Sequence, residues 1–170
     1  MTDKKALQIA DSRMLILGSS KIPNDAYNKL ATDMGNEFPE GNRASNPLDT
    51  SRFVESVKDN PNKAELIYKR AIKCIDDAEF VVVDLSQAST GMGLEVSYLL
   101  TFLKQSGKQV IFIAKEGSKP SPHIMGMYKS VMGEYPTVTH YKDENNMFEA
   151  VQKSQGFTEY KAQRTLERRN

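Results

Sequence analysis

The chain has 170 residues, the size of one compact domain, and its 23 basic and 22 acidic side chains leave a formal net charge of +1, which excludes an electrostatic basis for binding nucleic acid or an anionic membrane. Apolar residues make up 39% of the chain without any tryptophan, and the one cysteine, Cys74, cannot form an internal disulfide, so a modest core and a reducing, cytoplasmic setting are expected. No apolar run approaches the roughly 20 residues of a membrane span, and residues 1–12 lack the apolar centre of a signal peptide.

Met14-Leu15-Ile16-Leu17 is the first short apolar run and predicts a buried strand. A helix is expected from Ala26 to Met34. From Gly35 to Asn60 the chain holds Gly35, Pro39, Gly41 and Pro47 among many Asn, Asp and Ser residues, and it reads as a long irregular loop. A doubly wound fold would have a second strand there, but the apolar run is missing. Ala64 to Asp77 spaces Leu66, Ile67, Ala71, Cys74 and Ile75 as a helix does. Phe80-Val81-Val82-Val83 is the second strand, Gly93 to Gln105 a helix ended by Gly107, and Val110-Ile111-Phe112-Ile113 the third strand. Pro122 to Met132 and Asn145 to Gln155 are further helices, flanking a weaker strand at Thr137–Tyr141. The strands do not alternate polar with apolar, which predicts a parallel sheet covered on both faces. We therefore expect a Rossmann-like, flavodoxin-like three-layer α/β sandwich with a mostly parallel sheet of four or five strands. One domain over residues 1–156 and a charged, helix-prone tail over 157–170 complete the division. In that tail Lys161, Arg164, Arg168 and Arg169 are available to phosphates, but a solvated, fraying helix is the plainer expectation.

The stretch richest in chemistry follows the second strand: Asp84-Leu85-Ser86-Gln87-Ala88-Ser89-Thr90-Gly91-Met92-Gly93-Leu94-Glu95. In open α/β sheets ligands bind beyond the carboxyl ends of strands. Ser89, Thr90, Gly91 and Gly93 offer hydroxyls and uncluttered amides ahead of a helix N-terminus, as a phosphate cradle requires. The spacing fits neither a Walker loop nor a G-x-G-x-x-G fingerprint. Glu95 is expected in the first helical turn, where the dipole keeps it ionised; it reads either as a nucleophile or as an ordinary dipole-complementing glutamate. Asp84 reads as an anchor for the loop amides ahead of an active-site carboxylate.

Ile67-Tyr68-Lys69-Arg70, Ala78 to Asp84 and Ser89-Thr90-Gly91-Met92-Gly93-Leu94-Glu95 resemble the nucleoside 2-deoxyribosyltransferase-like superfamily, most closely the 2′-deoxynucleoside 5′-phosphate N-hydrolases. Gly18-Ser19 is similar to the family's turn after the first strand, and Ser121 to its serine ahead of a short helix. The resemblance spans most of Arg13 to Met127. It implies cleavage of a nucleotide's glycosidic bond by double displacement, with Glu95 as nucleophile and no cofactor. It also implies that Gly18, Ser19, Ser89, Gly91 and Gly93 hold the 5′-phosphate, and that Ser121 reaches a neighbouring site across a homodimer. Lys21 stands where the hydrolases have an arginine and reads equally as a further phosphate contact or as a solvent-facing lysine.

The chain departs from that pattern twice. Ala71 replaces an aspartate that orients sugar and nucleophile, and Leu15 replaces a tyrosine of the first strand. Tyr68, Asp49 and Asp25 are the nearest groups to substitute for them. A nucleotide N-glycosidase, a non-catalytic nucleotide-binding module and a base-exchanging deoxyribosyltransferase all stay open. His123 and His140 lie seventeen residues apart with no ligand cluster around them, so no metal site is expected. Cys74 and the methionines at 125, 127 and 132 read as core or subunit-interface packing.

Overall fold

A computed structural model describes residues 13–19, 21–38, 44–87 and 89–167. Four strands, β1 (Met14–Leu17), β2 (Phe80–Asp84), β3 (Gln109–Lys115) and β4 (Val138–Tyr141), form one parallel sheet in the order β1-β2-β3-β4. Seven α-helices are present among the described residues: α1 (Asn24–Asn36), α2 (Pro47–Ser56), α3 (Lys63–Asp77), α4 (Thr90–Ser106), α5 (Pro122–Met132), α6 (Met147–Lys153) and α7 (Gln155–Glu167).

Alternate residues of each strand feed two separate cores. Met14, Ile16, Phe80, Val82, Ile111 and Ile113 face α1, α6 and α7. Leu15, Leu17, Val81, Val83, Phe112 and Ala114 face α3, α4 and α5. The result is the expected three-layer sandwich: a strand buried on both faces can be apolar throughout because helices cover each side.

Part of the stretch from Gly35 to Asn60, expected as an irregular loop, is regular. Ser45 makes a parallel bridge to Leu15, with its N–H donating to the Met14 carbonyl at 2.9 Å and its carbonyl accepting the Ile16 N–H at 2.7 Å. Among the described residues, the missing second strand is thus reduced to a single residue on the outer edge of β1. Helix α2 follows at once. Its start is signalled by Asn46-Pro47-Leu48-Asp49: Pro47 suits the first helical turn, and the Asp49 carboxylate accepts the Asn46 N–H at 3.1 Å. Because Ser45 lies on one side of β1 and β2 on the other, the chain reverses its direction of travel across the sheet at β1.

The carboxy-terminal segment is not a solvated, fraying helix. Phe157 and Tyr160 are buried, and the Phe80 ring stacks on Tyr160 and meets Phe157 edge-on. Burial of two aromatic side chains outweighs the polar outer face of α7. Lys161 pairs with Glu37 and Arg164 with Glu167, whereas Arg168 and Arg169 lie outside the described residues. No helix among the described residues is long and apolar enough to cross a membrane.

Candidate active site

A cleft of about 370 Å³ opens beyond the carboxyl ends of β1 and β2, where the chain's direction across the sheet reverses. Its walls come from the end of β1 (Leu15, Leu17, Gly18), from α2, from α3 (Ala71, Cys74) and from the start of α4 (Ser89, Gly91, Met92, Glu95). Of the residues expected to act together, the cleft gathers Gly18, Ser89, Gly91 and Glu95. Ser19, Lys21, Gly93 and Ser121 do not line it.

Helix α4 begins at Thr90, three residues earlier than the periodicity predicts, because Ser89 caps it. The Ser89 Oγ accepts the Met92 N–H at 3.2 Å, and its carbonyl accepts the Gly93 N–H at 3.0 Å. The Gly93 amide is therefore spent inside the helix and is not part of an anion cradle. By helix geometry the N–H groups of Thr90 and Gly91 have no partner in the helix. A side chain at Gly91 or Gly93 would meet open space, so the surrounding protein does not require glycine at either position.

The early start also moves Glu95 into the second turn, contrary to expectation. The dipole's influence fades beyond the first turn, and burial decides instead. Half-buried in the cleft wall, the Glu95 carboxyl is pushed up from 4.5 to about 6 by loss of solvent. It stays mostly ionised at neutral pH and is close enough to its own titration to exchange a proton.

Gly18 has a packing reason of its own. A Cβ there would sit 2.1 Å from the Tyr27 hydroxyl. That hydroxyl donates to Asp84 Oδ2 at 2.9 Å, and the Tyr141 hydroxyl lies 3.1 Å from the same oxygen. Asp84 Oδ1 accepts from the Ser86 N–H at 3.0 Å and from the Ser86 hydroxyl. Asp84 is 1% exposed and fully engaged, so it anchors the loop from β2 to α4 and takes no part in the cleft's chemistry. Burial, with Asp84 beside them, pushes both tyrosine hydroxyls well above the ordinary 10.

Ser19 is also buried: its Oγ accepts the Lys21 N–H at 3.2 Å and its carbonyl accepts the Ile22 N–H at 3.1 Å, closing the turn after β1. Lys21 points to solvent from that turn. Ser121 sits half-buried at the N-cap of α5, where its side chain makes no capping hydrogen bond. Tyr68, Asp49 and Asp25 do not line the cleft, and Tyr68 is exposed. Ala71 and Leu15, the two departures from the family pattern, both do line it.

The residues missed from sequence are those of α2: Pro47, Thr50, Ser51, Val54 and Glu55. The Asn-Pro-x-Asp start signal was present, but polar neighbours on either side masked it. Cys74 lines the cleft as well as packing against the core; burial raises its thiol above the usual 9, which leaves it a weak nucleophile. His123 and His140 are exposed, and among the described residues no three His, Cys, Asp or Glu side chains gather to hold a metal. No protein-family model matches the chain, and no curated protein is significantly similar to it.

Proposed function

We propose that the protein is an N-glycosidase that hydrolyses nucleoside 5′-monophosphates to free base and sugar 5-phosphate, with Glu95 as nucleophile. One observation carries the reading. Gly91 and Glu95, four residues apart on one face of α4, line the same cleft. At 1.5 Å per residue they are about 6 Å apart along the helix. That suits the reach from a 5′-phosphate across a furanose to C1′.

The phosphate takes the open N–H groups of Thr90 and Gly91, the Ser89 hydroxyl and the positive end of the α4 dipole. The Glu95 carboxylate attacks C1′. The glycosidic bond breaks, its electron pair leaves with the base, and the base takes a proton from water. A water molecule then attacks C1′ of the ester and frees sugar 5-phosphate and the carboxylate. The partial burial of Glu95 favours the step in which the carboxylate loses its charge to a covalent bond. A homodimer that brings Ser121, with its uncommitted hydroxyl, to a neighbouring phosphate belongs to the same proposal, and sedimentation tests it. The test of activity is chromatography of a ribo- and deoxyribonucleotide panel after incubation with the protein. Base release that disappears in Glu95→Gln supports the reading; no release, or release that survives the substitution, refutes it.

A second reading has its own support. Ala71 and Leu15 give the cleft no second orienting group beside Glu95, which suits a module that binds nucleotide without turnover. Stabilisation by a nucleotide without base release favours it; a ligand at 100 times its Kd adds about 2.7 kcal/mol. Base exchange, detected by incubating a deoxynucleoside with a second free base, separates transfer from hydrolysis. Ala71→Asp discriminates further: restored orientation raises turnover of deoxynucleotides, and the added carboxylate pushes the Glu95 titration above 6.

A further inference from the structure

Helix α2 gives the cleft one continuous face. Pro47, Thr50, Ser51, Val54 and Glu55 line it at the spacing that puts residues on one side of a helix. Phe53 on the other side, and Val57 just past the helix end, are buried with Leu66, and the Arg70 guanidinium of α3 lies 4.7 Å from the centre of the Phe53 ring. The helix is held from behind, and its inner face is left to whatever enters the cleft.

The chemistry of that face is weighted toward acceptors, the Thr50 hydroxyl alone being able to serve either way. The Ser51 hydroxyl donates its only hydrogen to the Pro47 carbonyl at 3.1 Å, which leaves it an acceptor. The Glu55 carboxylate pairs through Oε1 with Lys58 at 2.6 Å, a surface pair of small worth whose second oxygen stays available. Pro47 and Val54, the latter 39% exposed, offer apolar area against which a flat ring can lie. Among the remaining cleft residues, Ser89 serves the phosphate end and Glu95 the anomeric carbon. On the nucleotide reading, on which this rests, the base meets an apolar strip edged with acceptors.

We propose that this face of α2 reads the base, and that Glu55 is a specificity-determining residue selecting bases whose outer edge presents N–H donors. An exocyclic amine, alone or beside a ring N–H, gives the carboxylate a donor to accept. Thymine and uracil set carbonyl oxygens on both sides of their single ring N–H, so acceptor faces acceptor. Glu55 stays open to water beside the wrong base, so the discrimination comes from the hydrogen bond gained with the right one.

The test is calorimetric titration of the full chain, in a Glu95→Gln background that prevents turnover, with dGMP, dAMP, dCMP and dTMP, and with inorganic phosphate as a base-free probe. The amino-bearing nucleotides are expected to bind about three- to tenfold more tightly than dTMP, the worth of a solvent-screened hydrogen bond. Adding Glu55→Gln, at a side chain 71% exposed, replaces one acceptor oxygen by a donor and should bring that ratio to about one. A ratio untouched by Glu55→Gln, or tightest binding of dTMP, overturns the role of Glu55 while leaving the nucleotide reading intact. Failure of every nucleotide to bind overturns both.

Discussion

Glu95→Gln should stabilise the protein while silencing it. Folding moves the carboxyl from water into the cleft wall and raises its pKa from 4.5 to about 6. Because the folded-state value lies above the unfolded one, stability is greatest below 4.5, where both states are protonated, and falls as pH rises to about 6. At about 1.36 kcal/mol per pH unit, the charge costs about 2 kcal/mol at pH 8. Glutamine keeps the shape and removes the charge; allowing for its buried amide, a gain of about 1–2 kcal/mol is expected, or about 2–8 °C in Tm for a domain of this size. Thermal melts of both proteins at pH 4 and pH 8 measure it. The gain should be present at pH 8 and absent at pH 4. Equal melting temperatures at pH 8, or the same difference at both pH values, would refute the argument that burial sets the Glu95 titration.

If the proposed glycosidase activity is present, base release should show an acid limb, with kcat/KM falling about tenfold per pH unit below about 6 as Glu95 is protonated; a profile flat down to pH 5 would contradict it. Gly18→Ala sets a methyl against the Tyr27 hydroxyl and should cost about 1–3 kcal/mol in urea unfolding. A loss too small to measure would show that Tyr27 moves aside freely. Asp84→Asn turns one acceptor into a donor facing groups that already donate and should cost about 2–3 kcal/mol by the same assay.

The strands and most helices were legible because a strand buried on both faces needs an unbroken apolar run, and a core-facing helix repeats its apolar residues every three or four positions. That reasoning located Met14–Leu17 and Phe80–Val83 almost to the residue. It failed at α2, whose Phe53 joins Val57, just past the helix end, in a small cluster of their own, too sparse to stand out between polar neighbours. It placed the start of α4 late because glycines argue against a helix, while the Ser89 cap outweighs them. The tail packs more than its charge predicts because two buried aromatic side chains suffice to dock a helix that is otherwise polar and exposed.

The loop from Ser89 to Glu95 was legible as a site from local pattern: small residues, hydroxyls and a carboxylate directly after a buried strand. Its electrostatics were not. Whether a helix dipole or desolvation sets the Glu95 titration depends on how many residues precede it in the helix and on what covers it, and both follow from packing. The same holds for the cleft's other wall. Pro47 to Glu55 and Ala71 to Cys74 are brought beside Glu95 by the reversal at β1, a long-range arrangement that no local periodicity encodes.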